Sequence, residues 1–183
     1  MFENFEFSLL SQLLFMKKTL SITVYNEPGV LTRISTLFSS RGFNIESIAV
    51  GPTEHNGISK IIIILPGDNQ TIEQISKQLN KLVQVIEVKD ITTRPCVERE
   101  LMLVKVSSSP KIRYEMINIV EIFRSKIVDI SDFSMTIEVT GDPGKISTIL
   151  QLLRPYRIIE IVRTGKISVE RELGINSEAI RNI

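Results

Sequence analysis

The spacing of the apolar residues changes in a fixed order along the chain, and that order limits the fold more than any other feature. Apolar and polar residues alternate at 19–25, which is typical of a strand, and apolar residues then recur at helical spacing from Val30 to Phe38. Gly and Pro residues separate such segments. The first half is therefore predicted to form a βαββαβ unit. Its predicted strands are 19–25, 43–50, 58–65 and 83–91, its predicted helices are 30–42 and 72–82, and its predicted hairpin loop is 51–57.

The second half of the chain repeats this order with little sequence identity to the first. Its predicted strands are 101–106, 127–133, 135–139 and 158–162, and its predicted helices are 112–123 and 146–153. We therefore expect an α+β fold of two ferredoxin-like βαββαβ modules, each with two helices on one face of an antiparallel sheet. Sheet edges and bare sheet faces of this kind are usually covered, so we also expect an oligomer.

The boundaries of these modules follow from the segments between the patterns. We expect an N-terminal extension at 1–15, modules at 16–92 and 98–168, a linker at 93–97 and a tail at 169–183. The extension is apolar, but its only charges are acidic and its lysines follow the apolar stretch, which is the wrong order for a secretory signal. It is also too short for a membrane span. An upstream start or short extension is the simplest interpretation, and a partner-contacting amphipathic segment is the alternative.

Charge and the rare reactive residues exclude several classes of function. The chain of 183 residues has 22 Lys and Arg against 21 Asp and Glu, so bulk electrostatic binding of nucleic acid or of an anionic membrane is disfavoured. The single cysteine, Cys96, cannot form an internal disulfide. With His55 as the single histidine, the chain lacks a complete Cys/His catalytic set and a four-ligand zinc site. We therefore predict no catalytic and no metal-binding residue, and a reducing compartment.

One glycine-rich segment, residues 141–147, has the composition of a phosphate loop but not its spacing. The glycines are too close together, and the residue after Lys145 is isoleucine rather than Ser or Thr. The Pro-Gly pair is instead typical of a helix N-terminus. We therefore predict a helix start here, with a small anion site as the alternative.

Several longer motifs resemble one known family. Residues 26–33 (NEPGVLTR), 38–47 (FSSRGFNIES) and 51–53 (GPT) are similar to the ACT domain of the regulatory (small) subunit of acetolactate synthase, also called acetohydroxyacid synthase. The second module carries further matches in the same order and spacing, which narrows the resemblance from amino-acid sensors in general to this subunit. These matches are VERELMLVK at 97–105, EIFR at 121–124 and TGDPGK at 140–145.

The resemblance implies both an architecture and a function. It makes 16–92 an ACT domain for amino-acid sensing and dimerisation, and 98–168 the C-terminal ferredoxin-like domain of the small subunit. Such a subunit is not an enzyme on its own: it binds and activates a catalytic (large) subunit and confers feedback inhibition by valine in branched-chain amino-acid biosynthesis. Thiamine diphosphate, Mg and FAD would belong to the catalytic subunit, and this chain would carry no cofactor, only the effector valine.

The chemistry of residues 26–31 suits an amino-acid effector independently of the resemblance. Gly29 lies where a strand turns into a helix, so the N–H groups of Gly29, Val30 and Leu31 are predicted to point at a carboxylate, assisted by the helix dipole. Asn26 offers a donor and an acceptor on one carboxamide. The resemblance adds Asn44 and Ile45, at the start of the second strand, and implies that they lie across an ACT dimer interface. A simple Asx turn and helix entry is the structural alternative.

The remaining expectations concern partners. Glu98, Arg99 and Glu100 usually indicate a solvated charged face, and the resemblance raises the chance that they contact the catalytic subunit.

An ACT-type sensor that regulates a different enzyme or transcription is the alternative function, but the helix-turn-helix and basic surface that a transcriptional regulator needs are not evident. A stand-alone enzyme would need titratable groups that converge in a pocket, and the sequence shows no such convergence. We expect a bacterial cytoplasmic location, or the plastid stroma for a plastid-encoded chain.

Overall fold

The computed structural model describes residues 17–172, which divide into two compact units. The described part of the first unit comprises 17–46, 51–97 and 168–172, and the second unit comprises 47–50 and 98–167. The extension predicted at 1–15 and residues 173–183 of the predicted tail lie outside the described residues. Among the described residues, no helix is long and apolar enough to cross a membrane.

The first module has the predicted βαββαβ order. Its elements are β1 (Lys17–Tyr25), α1 (Val30–Ser40), β2 (Ser47–Pro52), β3 (Ile58–Pro66), α2 (Asn69–Leu79) and β4 (Val85–Asp90). The strand order in the sheet is β2-β3-β1-β4, and β1 is antiparallel to both β3 and β4. Leu20 and Ile22 of β1 are fully buried, and Ile34 and Phe38 of α1 are buried with them. The apolar residues that recur at helical spacing along α1 therefore form part of this core.

The second module repeats the order and adds a short strand. Its elements are β5 (Cys96–Ser107), α3 (Arg113–Ile122), β6 (Lys126–Ile130), β7 (Ser134–Gly141), α4 (Pro143–Leu153), β8 (Ile158–Arg163) and β9 (Ile167–Glu170). The sheet has the order β6-β7-β5-β8, and β9 also pairs with β5. Alternate residues of β5 face the core, namely Met102, Val104 and Val106, all fully buried. The predicted pair of ferredoxin-like modules is thus confirmed.

The two modules share an irregularity that their sequences do not reveal. In the first, the pairing of β1 with β4 shifts register between Thr23 and Val24. In the second, the pairing of β5 with β8 shifts between Lys105 and Val106, at the corresponding point of the strand. Such shifts bend a strand and increase its twist. The two modules therefore share this detail of strand pairing as well as the order of their elements.

The second helix of each module is capped by an aspartate. Asp68 Oδ1 accepts a hydrogen bond from the Thr71 N–H at 2.8 Å, and Asp142 Oδ1 accepts one from the Lys145 N–H at 2.8 Å. The Thr71 hydrogen bonds lower the pKa of Asp68 below its usual value. The glycine-rich segment at 141–147 therefore contains the helix start that its sequence predicts. The first helices, α1 and α3, have no side-chain cap.

The second strand begins later than its sequence predicts. The expected run was 43–50, but β2 begins at Ser47. The backbone at Gly42 is left-handed, with φ of 71°, and the Phe43 N–H then bonds the Phe38 carbonyl at 3.0 Å to close the end of α1. The residues after Gly42 serve this helix end before the chain becomes extended. Asn44 and Ile45 therefore precede the strand instead of starting it.

Strand β9 was not predicted, because four alternating residues are too short a signal. It lies within the last expected module and the start of the expected tail. Its surroundings are polar: the Arg171 N–H donates to the Pro95 carbonyl at 2.8 Å, and Arg94 forms an ion pair with Glu170 at 3.1 Å. These contacts hold the segment predicted as a linker, in which β5 already begins at Cys96.

Candidate functional site

The junction of β1 and α1 carries four of the predicted effector residues. Gly29 is the N-cap residue of α1 with φ of 85°, and no side chain caps this helix. The first helical hydrogen bond runs from the Arg33 N–H to the Gly29 carbonyl at 3.0 Å. The Leu31 and Thr32 N–H groups lie ahead of this bond, where helix geometry leaves them without a helical partner. The junction therefore presents backbone donors and the positive end of the helix dipole.

The four residues differ in how they face this junction. The Asn26 N–H donates to the Gly57 carbonyl at 2.8 Å, which fixes the backbone, while the side chain is exposed. Leu31 is 45% exposed, whereas Val30 is only 6% exposed and packs into the core. The Val30 N–H also has a long hydrogen bond, 3.4 Å, to the Glu27 carbonyl. Of the Val30 and Leu31 amides, the Leu31 amide is therefore the better placed for a ligand.

Gly29 faces open space. A Cβ built at this position meets no heavy atom within 4 Å. A side chain here is opposed by the positive φ, which costs an ordinary residue about 1 kcal/mol, rather than by a clash within the chain. Any side chain would project into this open space.

Asn44 and Ile45 lie at the other end of the same helix. Asn44 is exposed and Ile45 is half-buried, in a segment without helix or strand structure. This segment is fixed by the Phe43 hydrogen bond to Phe38 and by the Glu46 N–H, which donates to the Ile64 carbonyl at 2.9 Å.

The distance between the two groups follows from the register of β3. Asn26 adjoins Gly57, just before this strand begins, while Glu46 adjoins Ile64 near its end. About seven residues of strand at 3.3 Å each separate them by roughly 20 Å. A single amino acid cannot bridge that distance. Within one chain, the structure does not bring Asn26 and Asn44 into one site.

A narrow crevice of about 130 Å³ lies at the Asn44 end, between α1 and α2. It has both apolar and polar walls, as small-molecule sites do. Phe43, the neighbour of Asn44, is one of its lining residues. The others are Leu37, Arg41, Gln74, Ile75 and Gln78.

The three predicted partner residues divide between two faces of β5. Glu100 is only 7% exposed, and its carboxylate accepts two hydrogen bonds from Arg163, at 2.6 and 2.7 Å. Glu98 is paired with Lys166. Since successive strand residues face opposite sides, Arg99 lies on the other face, where it is exposed.

Sequence reasoning missed the basic partners of these glutamates. Arg163 and Lys166 are more than sixty residues away along the chain, since 63 residues separate Arg163 from Glu100. It also missed an ion pair at the Asn44 end, between Lys17 and Glu46 at 2.7 Å. The spacing of charges along the chain carries no signal for such pairs, because they depend on strand register.

The reactive residues have unremarkable surroundings. His55 is exposed in the β2–β3 loop beside Glu54, and Cys96 is half-buried at the start of β5. Among residues 17–172, no group of three or more His, Cys, Asp or Glu side chains is arranged to hold a metal ion.

Comparisons with known proteins identify the family. The model described as "AHAS small subunit-like ACT domain" matches residues 20–87, and the model described as "Small subunit of acetolactate synthase" matches residues 99–172. The chain belongs to the family of acetolactate synthase small subunits. The ACT-like first module and the second module expected from the resemblance are both present.

Relatives across distant organisms support this assignment. The chain is 48% identical over 156 residues to a probable acetolactate synthase small subunit of Archaeoglobus fulgidus, with 85% of this chain and 98% of the relative covered. It is 44% identical over 163 residues to acetolactate synthase small subunit 2, chloroplastic, of Arabidopsis thaliana, covering 89% of this chain but 34% of that longer protein. The crystal structure of the acetolactate synthase small subunit from Thermotoga maritima has a TM-score of 0.79 and 40% identity. It covers 87% of this chain and 99% of that one.

Proposed function

We propose that this small subunit activates the catalytic subunit of acetolactate synthase and makes it sensitive to feedback inhibition by valine. The observation that carries the proposal is the uncapped N-terminus of α1, with Gly29 facing open space. A free amino acid needs donors for its carboxylate, acceptors for its ammonium group and a small apolar pocket. Residues 26–31 supply the first two requirements, and Leu31 contributes to the third.

The part of the proposed site that binds the effector carboxylate lies at the start of α1. The Leu31 N–H and the positive end of α1 attract an anion, and the absence of a side chain at Gly29 lets the anion approach the backbone. The Asn26 side chain has no hydrogen-bond partner among the described residues, so both ends of its carboxamide are available to a zwitterion.

The other half of the site, Asn44 and Ile45, comes from a second copy of the chain. The two half-sites lie at opposite ends of one sheet, so a two-fold axis that sets two such sheets antiparallel brings the Asn26 end of one chain beside the Asn44 end of its partner. Two-fold symmetry makes this happen twice, giving two equal sites per dimer. The exposed face of α1 between these ends has small side chains that permit close approach. They are Thr32, Ser35, Thr36, Ser39 and Ser40.

A ligand shared between two chains couples binding to their arrangement. Valine stabilises the dimer arrangement that it fits better, and the catalytic subunit responds to that shift through its own contacts with the small subunit. A coupling free energy of about 1–3 kcal/mol is sufficient for such control.

The contact with the catalytic subunit is proposed for the exposed face of β5. Arg99 lies there with Val97, which is 39% exposed, and Leu103, which is 37% exposed. An exposed arginine among apolar side chains has the composition of an interface centre. The thiamine diphosphate, Mg and FAD of the holoenzyme belong to the catalytic subunit in this proposal.

The proposed location is the bacterial cytoplasm or, for a plastid-encoded chain, the stroma. The name of the Arabidopsis relative includes the word chloroplastic. Fractionation with an antibody against the chain tests this part of the proposal, and recovery of the chain among secreted proteins would contradict it.

Reconstitution tests the function. The purified chain is added to the catalytic subunit with thiamine diphosphate and pyruvate, and acetolactate formation is measured with L-valine or D-valine. We expect the chain to raise the rate and L-valine alone to reverse that increase. An unchanged rate would contradict activation, and a raised rate equally insensitive to both enantiomers would contradict valine sensing.

A further inference from the structure

The segment that carries Asn44 and Ile45 has no regular secondary structure. It lies between the left-handed Gly42 and the first residue of β2, and it belongs to neither a helix nor a strand. A binding segment without regular structure loses conformational freedom when it engages a ligand, so contacts that order it beforehand raise affinity. The residues that fix its end are therefore candidates for a role in effector binding.

The C-terminal end of this segment is fixed by Glu46. Its N–H donates to the Ile64 carbonyl at 2.9 Å, and its carboxylate lies 2.7 Å from the Lys17 ammonium. The Glu46 side chain is 32% exposed, so the pair is partly shielded from water, while the Lys17 side chain is 69% exposed. One contact ties the segment to β3, and the other ties it to the start of β1.

We infer that the Lys17–Glu46 ion pair is a positioning element of the effector site, acting on the ligand through Asn44 and Ile45. This inference rests on the proposed function. Glu46 is two residues from Asn44, so loss of the pair gives the segment more conformational freedom while leaving the Ile64 hydrogen bond in place. The pair orders a half-site that the effector otherwise has to order itself.

Two single variants and one double variant isolate the pair. Glu46→Gln and Lys17→Met each remove one charge and keep the length of the side chain. The combination Lys17→Glu with Glu46→Lys restores an ion pair of opposite direction. Glu87→Gln is the matched control, because it removes a comparable pair, Glu87 with Lys89 at 2.9 Å, from β4 of the same unit.

The measurement is the half-inhibitory L-valine concentration of the reconstituted holoenzyme, with thermal unfolding as a check on folding. We expect each single variant to raise this concentration by about two- to five-fold, as an exposed to half-buried pair allows. The charge-reversed combination should return to within about two-fold of the original chain. At roughly 1 M salt, where charges are screened beyond about 3 Å, the difference should shrink. Glu87→Gln should leave the concentration unchanged.

The outcomes separate this inference from the proposed function. An original chain that shows no response to L-valine contradicts the proposed function itself. A responsive original chain with an unchanged Glu46→Gln variant overturns only the ion-pair inference. It is equally overturned if Glu46→Gln weakens inhibition while Lys17→Met does not and charge reversal fails to restore it, since Glu46 would then act without Lys17.

Discussion

Asn26 and Asn44, the two carboxamides of the candidate effector site, lie at opposite ends of the sheet of the first module. Asn26 is held beside Gly57 ahead of β3, and the Asn44 segment is held beside Ile64 near the end of that strand. Helix α1 runs between them, with Gly29 at its start and Asn44 shortly after its end. A site that uses both residues therefore needs two chains.

Substitution of Gly29 separates charge from backbone strain. Gly29→Asp places a negative carboxylate where the effector carboxylate is proposed to lie, while Gly29→Asn has nearly the same shape and tolerates the left-handed backbone equally well. We expect both variants to lose about 1 kcal/mol of stability and to bind L-valine less well, with Asp the weaker binder. Calorimetric titration and thermal unfolding measure the two effects. Normal valine binding by Gly29→Asp would exclude this junction as the site.

The end of α3 stores backbone strain that a substitution can release. Arg124 has φ of 47° at the position that Gly42 occupies after α1. Arg124→Gly should stabilise the chain by about 0.5–1 kcal/mol, because glycine adopts this conformation without steric cost. Arg124→Ala is the control, since it removes the side chain and keeps the strain. Chemical denaturation compares the three chains, and equal stability of the Gly and Ala variants would show that the strain is absent.

The cap of α2 makes stability depend on pH. The folded-state pKa of Asp68 is lowered, chiefly by the Thr71 hydrogen bonds, so its contribution is present above the unfolded pKa near 3.8 and is lost as the pH falls through the lower folded value. Asp68→Asn keeps a capping side chain that does not titrate, whereas Asp68→Ala removes the cap. Unfolding measured across the acid range should show a shallower pH dependence for both variants and lower stability at neutral pH for Ala. An unchanged profile in Asp68→Asn would contradict this assignment.

Substitutions of the charged residues at the start of β5 should change either the stability of the chain or its binding to the catalytic subunit, depending on the residue. Glu100→Gln breaks a pair whose carboxylate is buried and whose guanidinium is about half exposed, so we expect a loss of about 1–2 kcal/mol. Arg99→Ala should leave stability nearly unchanged and weaken binding to the catalytic subunit. Denaturation and a titration of activation against subunit concentration measure the two properties. The proposed interface fails if Arg99→Ala activates at the original concentration.

The fold could be predicted from the sequence because the core residues recur along the chain with the periodicity of the helix or strand that carries them. Val30, Ile34 and Phe38 fall on one side of a helix, and the alternation of β1 matches its buried face, so the order of elements needs no long-range information. The predicted start of β2 was wrong because the residues directly after Gly42 close the end of α1 before the chain becomes extended. β9 was missed because its alternation is too brief.

The candidate site was predictable only in part. The Asn26 to Leu31 segment is contiguous, and its helix entry with glycine is a local signal. The distance from Asn26 to Asn44, by contrast, depends on which ends of β1 and β3 meet. The partners of Glu98 and Glu100 depend in the same way on the register of β5 with the segment around Arg163. Long-range pairing therefore decides which of the predicted residues lie close together in one chain.

Complementation between two defective chains tests the shared site most directly. Asn26→Ala and Asn44→Ala chains are each expected to fold and to bind no L-valine as homodimers. When they are unfolded together and refolded at equal amounts, half of the dimers contain both variants, and each of these has one intact site and one doubly defective site. Calorimetric titration of the mixture should then recover about one quarter of the original binding capacity. No recovery in the mixture, with normal binding by the unmutated chain, would contradict a site built from two chains.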